Sequence, residues 1–556
     1  VQAWYARVNR GALPYRLFAL SNLASLAALL SYPAVVEPFL RTRHQALGWS
    51  AGYTVFAALA AVAALRSRHA APLGPLVEAN PEIPDEAPGV ARYALWVALP
   101  ACASILLLSV TNFLTQDVAS VPFLWILPLS LYLLSFVLCF DTNGWYRRIP
   151  FMLLLAAALA AMTYRQRNDE FLGDLPETIA LFSAGFFVCA MVCHGELAAL
   201  KPHPRRLTAY YLMISIGGAL GGVFVGLIAP NAFSGSFELP IGISLCALLA
   251  AAALYFSPTS PLREGRLMLV WCLVAAFAAG LCGYSINIVR EWGAGSRVVV
   301  RNFYGGLRVS DDGDPEDFGA SRKLRHGEIN HGEQYLHPGR RLEPTTYYCP
   351  QSGVGMAFDA VRARGAIRAG VIGLGAGALA AYGRAGDVFR FYEINPLILK
   401  LACTEFTYYP DCFGDKSVAL GDGRLSLERE PAQGFDLLVM DAFSGDSIPV
   451  HLVTREAFRV YLRQLRQDGI LAVHISNKYL DLEPVIARIA GELNLATLVV
   501  ETEESVDASC FGTTWVLVSA NPEIFERPEF QNAGQPAAPR RGVYTWTDDY
   551  SNLFRI

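Results

Sequence analysis

The chain has 556 residues, 53% of them hydrophobic, a mean hydropathy of +0.33 and a formal net charge of −4. That length calls for several domains and the apolar excess points to a protein of the lipid bilayer. The slightly acidic balance argues against nucleic acid as a partner.

Composition is uneven along the chain. Up to about Ile286 it is rich in Leu, Ala and Phe with sparse charge, and beyond that it carries charge at ordinary globular density. Runs long enough to cross hydrocarbon, roughly 17 to 25 residues, fall near 15–36, 49–65, 93–113, 121–140, 149–163, 177–194, 207–229, 239–256 and 267–285, the fifth being short. Arg16-Leu-Phe-Ala-Leu-Ser-Asn and Arg206-Leu-Thr-Ala-Tyr-Tyr-Leu open two similar stretches that end at Pro33 and Pro230. Six spans separate their starts, the spacing of the parallel six-helix halves of major facilitator transporters. The glycines of Gly217-Gly-Ala-Leu-Gly-Gly222 read as a close helix–helix contact. Glu37, Asp117 and Glu196 stand at span edges and read as solvated loop residues.

Basic residues gather at Arg7/Arg10/Arg16, Arg66/Arg68, Arg147/Arg148, Lys201/Arg205/Arg206 and Arg263/Arg266, mostly on alternate loops. The positive-inside rule puts those loops in the cytoplasm, and nine spans would then leave the second half outside. Eleven cysteines, seven in the apolar half and four beyond, form no Cys-x-x-Cys pair and no disulfide-like spacing. Cys189, Cys193 and His194 lie close on one apolar helix. They read as packing, because zinc needs further ligands, and no metal is expected. The chain opens at Val1 with no cleavable signal pattern, as a piece of a longer protein would.

From about Ser296 the pattern turns strand-like. Arg297–Val309 and Lys323–Tyr335 predict hairpin strands of a small β subdomain, placed at 287–350. Over 351–556 strands alternate with helices: strands at 369–374, 388–394, 417–421, 435–441, 469–475, 496–502 and 513–519, helices at 377–384, 396–404, 454–466 and 483–494. This predicts a mostly parallel, doubly wound sheet with its ligand at the carboxyl ends of the strands.

Polar residues collect at those ends. Gly373, Gly375 and Gly377 follow the first strand, Glu393 ends the second, Asp422 and Gly423 follow the third, and Asp441 opens the loop that leads to Asp446. One such acid would read as a helix cap or turn residue; four strand ends in succession read as a shared ligand site. A glycine turn lets a ligand approach the backbone, and a carboxylate at the second strand takes two ribose hydroxyls. No lysine stands in the glycine loop and acids crowd the pocket, so an uncharged or cationic nucleoside fits better than a phosphate. His326 and His331 flank glycines in the hairpin and read first as turn residues, with one of them at the pocket mouth as the alternative, whereas Asp548 and Asp549 read equally as caps or amine contacts.

These motifs, with Arg301-Asn-Phe-Tyr-Gly-Gly-Leu-Arg-Val309, His326-Gly-Glu-Ile-Asn-His-Gly332, Thr345-Thr-Tyr-Tyr348, Ser476-Asn-Lys-Tyr-Leu-Asp-Leu-Glu483 and Thr547-Asp-Asp-Tyr-Ser-Asn-Leu553, resemble the spermidine synthase (aminopropyltransferase) family from Arg297 to Ile556. The form they resemble is the membrane-fused bacterial one, with a major-facilitator-like helical domain at 1–286; Cys193-His-Gly-Glu-Leu197 fits it too. The resemblance implies a multi-pass helical membrane domain, a small β subdomain and a Rossmann-like, class I S-adenosylmethionine-binding domain. It implies aminopropyl transfer from decarboxylated S-adenosylmethionine to an amine, with release of 5′-methylthioadenosine and no further cofactor. By match, Glu393 binds the ribose, Asp422 the adenine edge, Asp441 the attacking amine, and Tyr347 supplies Asp441 with a hydroxyl partner. The expected partners are an adenosyl sulfonium, a polyamine, lipid and a second copy of the chain. The expected place is the inner membrane, with the catalytic domain cytoplasmic because the substrate is made there.

Three departures bear on that expectation. Ala376 stands where the family carries an Asp in the glycine loop, Asp441 and Asp446 are spaced two residues wider than in the family, and a late-loop Tyr is missing near Ser509-Cys-Phe-Gly512. Losing the Asp lets intact S-adenosylmethionine enter, and a lyase that forms methylthioadenosine without an acceptor is the alternative. A nucleoside-sensing transporter and a methyltransferase are further alternatives.

Overall fold

The computed structural model describes residues 15–556 apart from 69–87, 120, 122, 142–143, 169–170, 172, 204–205, 257–267, 328, 443–447, 478–479 and 506–509. The chain divides into two compact units, Val1–Ala294 and Gly295–Ile556.

The first unit is helical. Its main helices are α1 (Tyr15–Ser31), α2 (Thr42–Arg68), α3 (Val90–Asn112), α4 (Ile126–Phe140), α5 (Arg148–Arg165), α6 (Leu175–Ala199), α7 (Leu207–Val223), α8 (Glu238–Phe256) and α9 (Met268–Glu291). Eight helical segments among the described residues are long and apolar enough to cross a membrane, and α4 is the shorter exception. The sequence placed the short segment at 149–163 instead. There α5 runs its full length, whereas Phe123, left-handed at φ 65°, delays the start of α4 until Ile126.

Three residues in this unit show how it packs. A Cβ on Gly217 or Gly221 would collide with the carbonyl of Val97 or Ala101, so α7 lies directly on α3. Glu196 is not a solvated edge residue: it is 0% exposed within α6, and its carboxylate accepts from Arg148 at 2.7 Å and from the Tyr146 hydroxyl at 2.7 Å. A buried carboxylate persists when it is paired and hydrogen-bonded, and this one is both.

The second unit begins with an antiparallel sheet of β1 (Val298–Asn302), β2 (Gly305–Asp312), β3 (Ser321–His326) and β4 (Ile329–Tyr335) in chain order. Seven more strands follow: β5 (Arg368–Ile372), β6 (Val388–Glu393), β7 (Asp415–Leu420), β8 (Phe435–Met440), β9 (Leu465–His474), β10 (Ala496–Thr502) and β11 (Thr513–Ser519). They form one sheet in the order β10-β11-β9-β8-β5-β6-β7, with β11 antiparallel to both neighbours and the remaining pairs parallel. Central strands covered on both faces need unbroken apolar runs, and all six residues of β8 are buried.

Strand order reverses between β5 and β8, so a crevice opens beyond their carboxyl ends. The helix expected at 377–384 is only a 3-10 turn, Ala378–Tyr382. Gly377 ahead of it is left-handed at φ 86°, and Gly383 after it is already extended.

Candidate active site

A cavity of about 1430 Å³ lies at that crevice, floored by the ends of β5, β6, β8 and β9 and reached by β2–β4. The left-handed turn after β5 is obligatory: Gly373 has φ 98°, and a Cβ there would collide with the Asp441 carbonyl. The backbone amide of Leu374 is thereby aimed at Glu393 Oε2 at 2.9 Å, while Oε1 accepts from Asn395 N at 2.8 Å. Glu393 is 7% exposed, and burial pushes its carboxyl up against the lowering effect of those amides. Each of its oxygens keeps a second lone pair, and the residue lines the cavity.

Asp422 also lines it. Its Oδ1 accepts from Leu425 N at 2.8 Å, capping helix α10 (Gly423–Arg429), and its Oδ2 meets His451 Nε2 at 2.8 Å. It therefore caps a helix as well as facing the cavity. Gly423 faces the cavity and packs on Ile372, whereas Gly377 packs on Tyr409 away from the cavity residues.

Asp441, at the end of β8, is the most elaborately held group. Its Oδ2 accepts from the Tyr348 hydroxyl, and its Oδ1 meets His474 Nδ1 at 2.8 Å. The ring of His474 stacks on Trp515 at 4.6 Å, and its Nε2 lies 2.9 Å from Ser476 Oγ and 3.0 Å from Thr513 Oγ1. Burial alone would push the Asp441 carboxyl up. The charge and hydrogen bond of His474, with the Tyr348 hydroxyl, outweigh it and hold the group below the ordinary carboxylate range.

The tyrosine hydroxyl on Asp441 is thus that of Tyr348, one residue on from the expected Tyr347. Tyr347 lines the same cavity, its ring 5.1 Å from His474 and 5.3 Å from Phe511, the residue that stands in the late loop near the missing Tyr. Asp446 lies outside the described residues. Asp548, open between cap and amine contact in the sequence, is paired with Arg424 at 2.6 Å.

Two further features shape the cavity wall and the glycine loop. His326 and His331 both face the cavity with buried Nε2 atoms that have no hydrogen-bond partner. Burial lowers both imidazoles, His331 to about 4, where the neighbouring His326 lowers it further and Asp441 opposes. Ala376 is 1% exposed beneath Gly332, where a Cβ would come 2.6 Å from its own, and its amide donates to the His331 carbonyl at 3.3 Å. Backbone of β4 therefore fills the place beside the glycine loop.

A disulfide joins Cys349 to Cys510, 161 residues apart, and ties the Tyr347–Tyr348 segment to the chain entering β11. Spacing between cysteines so distant carries no signal, and the sequence showed none.

Over 84 residues the chain is 32% identical to the polyamine aminopropyltransferase of Vibrio vulnificus (strain CMCP6); the match covers 15% of this chain and 27% of that relative. Among solved structures, a probable spermidine synthase from Corynebacterium glutamicum ATCC 13032 shares 14% identity over 44% of this chain and 95% of its own, with a TM-score of 0.33. Spermidine synthase from Thermotoga maritima shares 12% over 44% of this chain and 80% of its own, with a TM-score of 0.31. No family model matches the chain. Over that stretch the chain is similar to a polyamine aminopropyltransferase, and it spans about a quarter of that relative's length.

Proposed function

We propose that the second unit is an aminopropyltransferase-like enzyme acting on an adenosyl sulfonium. Glu393 grips the ribose, Asp422 accepts from the adenine amine, and Asp441 faces the positively charged end of the substrate. The single observation that carries this reading is that acids from successive strand ends open on one cavity beside a backbone-lined glycine turn. In the reaction the acceptor nitrogen forms a bond to the propyl carbon while the carbon–sulfur bond breaks. Its electron pair goes to sulfur, leaving methylthioadenosine, and the nitrogen loses a proton. A carboxylate held below its ordinary range is a weak base, so Asp441 acts mainly by charge and orientation.

A lyase is the second reading, favoured by His326 and His331, which line the cavity and are held neutral by burial. A carboxylate kept by the substrate can then attack the carbon internally, closing a lactone as the carbon–sulfur bond breaks and its electron pair goes to sulfur. We place the first unit in a bilayer as a multi-pass, major-facilitator-like domain, on the eight long apolar segments, and take the enzyme to work as a homodimer.

The test is to incubate purified protein with S-adenosylmethionine or its decarboxylated form, with and without putrescine, and weigh the products. Methylthioadenosine plus an aminopropylated amine supports transfer, and methylthioadenosine without acceptor supports the lyase. S-adenosylhomocysteine would overturn both in favour of methyl transfer.

A further inference from the structure

The sequence dismissed Cys189 and Cys193 as metal ligands because no others stood near. The fold supplies them. Cys102 on α3, Cys193 on α6 and Cys246 on α8 come from three helices far apart in the chain, yet their sulfurs all lie within 4.8 Å of one another. They are 0%, 1% and 1% exposed. We propose that these three thiols form a binding site for a soft monovalent metal ion, copper(I), in the core of the helical unit.

Three arguments select that ion. Metal–thiolate bonds of about 2.3 Å put sulfurs around a trigonal ion roughly 4 Å apart, within the spread seen here. Thiolate sulfur is soft and selects copper(I), zinc or iron–sulfur clusters over the hard cations. Structural zinc sites are almost always four-coordinate. Cys189, one turn from Cys193, touches Cys246 but stands outside the mutually close group of three.

Before binding, the Cys102 thiol is directed at the Gly242 carbonyl, 3.8 Å away. The rival account is that the thiols pack as small apolar side chains, as buried free cysteines commonly do.

The experiment uses the full-length protein in detergent, loaded anaerobically with ascorbate-reduced copper and challenged with a colorimetric copper(I) chelator. The expected result is one copper(I) retained per chain with a three-sulfur shell in X-ray absorption. Cys102→Ser, Cys193→Ser and Cys246→Ser should each weaken retention at least tenfold, while Cys272→Ser and Cys403→Ser, at exposed thiols, leave it unchanged. X-ray absorption of the unmutated protein decides the matter even where a serine variant misfolds. Complete loss of copper to the chelator, a shell without three sulfurs, or equal retention by the triple serine variant would overturn the site. Preferential retention of zinc over copper(I) would overturn the choice of ion.

Discussion

Replacing Asp441 by Asn tests the proposed chemistry at its centre. Asparagine has the same shape, its carbonyl can accept from His474 Nδ1, and its amide can donate to the Tyr348 hydroxyl oxygen. The fold should therefore survive, and what is lost is one negative charge. Two unit charges about 4 Å apart interact by about 4 kcal/mol at an effective dielectric constant of about 20. At roughly 1.4 kcal/mol per decade, that is on the order of a thousandfold in kcat/KM for a cationic substrate. Binding of methylthioadenosine, a neutral thioether, should change less than about threefold on the same reasoning. Mass-detected product formation measures the first quantity and calorimetric titration the second. A fall in kcat/KM of less than about tenfold, or an equal loss of methylthioadenosine affinity, would refute the role given to the charge.

Three further outcomes follow from the same geometry. His331 is held neutral at about 4 against 6.5 for a free imidazole, so below 6.5 the unfolded chain binds a proton that the folded chain does not. Stability should fall as pH drops from 6.5 towards 4, by up to about 3 kcal/mol, and His331→Gln should flatten that slope in thermal unfolding of the whole chain. Ala376→Asp, which restores the acid typical of the resembled family, should not raise the preference for the decarboxylated substrate. The carboxylate would be forced under Gly332 without a partner, and thermal unfolding should show a loss of at least about 2 kcal/mol. Cys349 and Cys510 should resist alkylation in freshly isolated membranes until a reductant is added. That result would put the second unit on the oxidising face, in line with the nine-span expectation from the basic loops and against the cytoplasmic side expected from the substrate; free labelling of both would place it in the cytoplasm.

The sequence made the sheet legible because its central strands are continuous apolar runs cut by glycine and acid. Strand ends at Ile372, Glu393 and Met440 fall within two residues of their expected places. Gly373, Glu393, Asp422 and Asp441 were found by one rule, a glycine or polar residue closing a strand. His474 obeys that rule too: it ends the buried run of β9 as the others end theirs. It was passed over because a lone histidine carries no motif, and only the register of β8 beside β9 sets it against Asp441. Tyr347 and Tyr348 are adjacent, so composition has no means of choosing between them. Only the folded chain, in which the residue before them, Thr346, takes a left-handed φ of 57°, shows that Tyr348 reaches the carboxylate.

The larger omissions share one cause: they are meetings between residues remote in the chain. Cys349 reaches Cys510 across 161 residues, Glu196 finds Arg148 on a neighbouring helix, and Cys102, Cys193 and Cys246 converge from three helices. In an amphipathic or strand-like segment, periodicity tells which side chains face inward. In helices apolar all round it does not, because hydrocarbon and protein core select the same residues. The helical unit was therefore the part whose span positions were easiest to read and whose interior was hardest. Its buried polar and sulfur groups, invisible to periodicity, are where an unassigned function of that unit has the most chemistry to draw on.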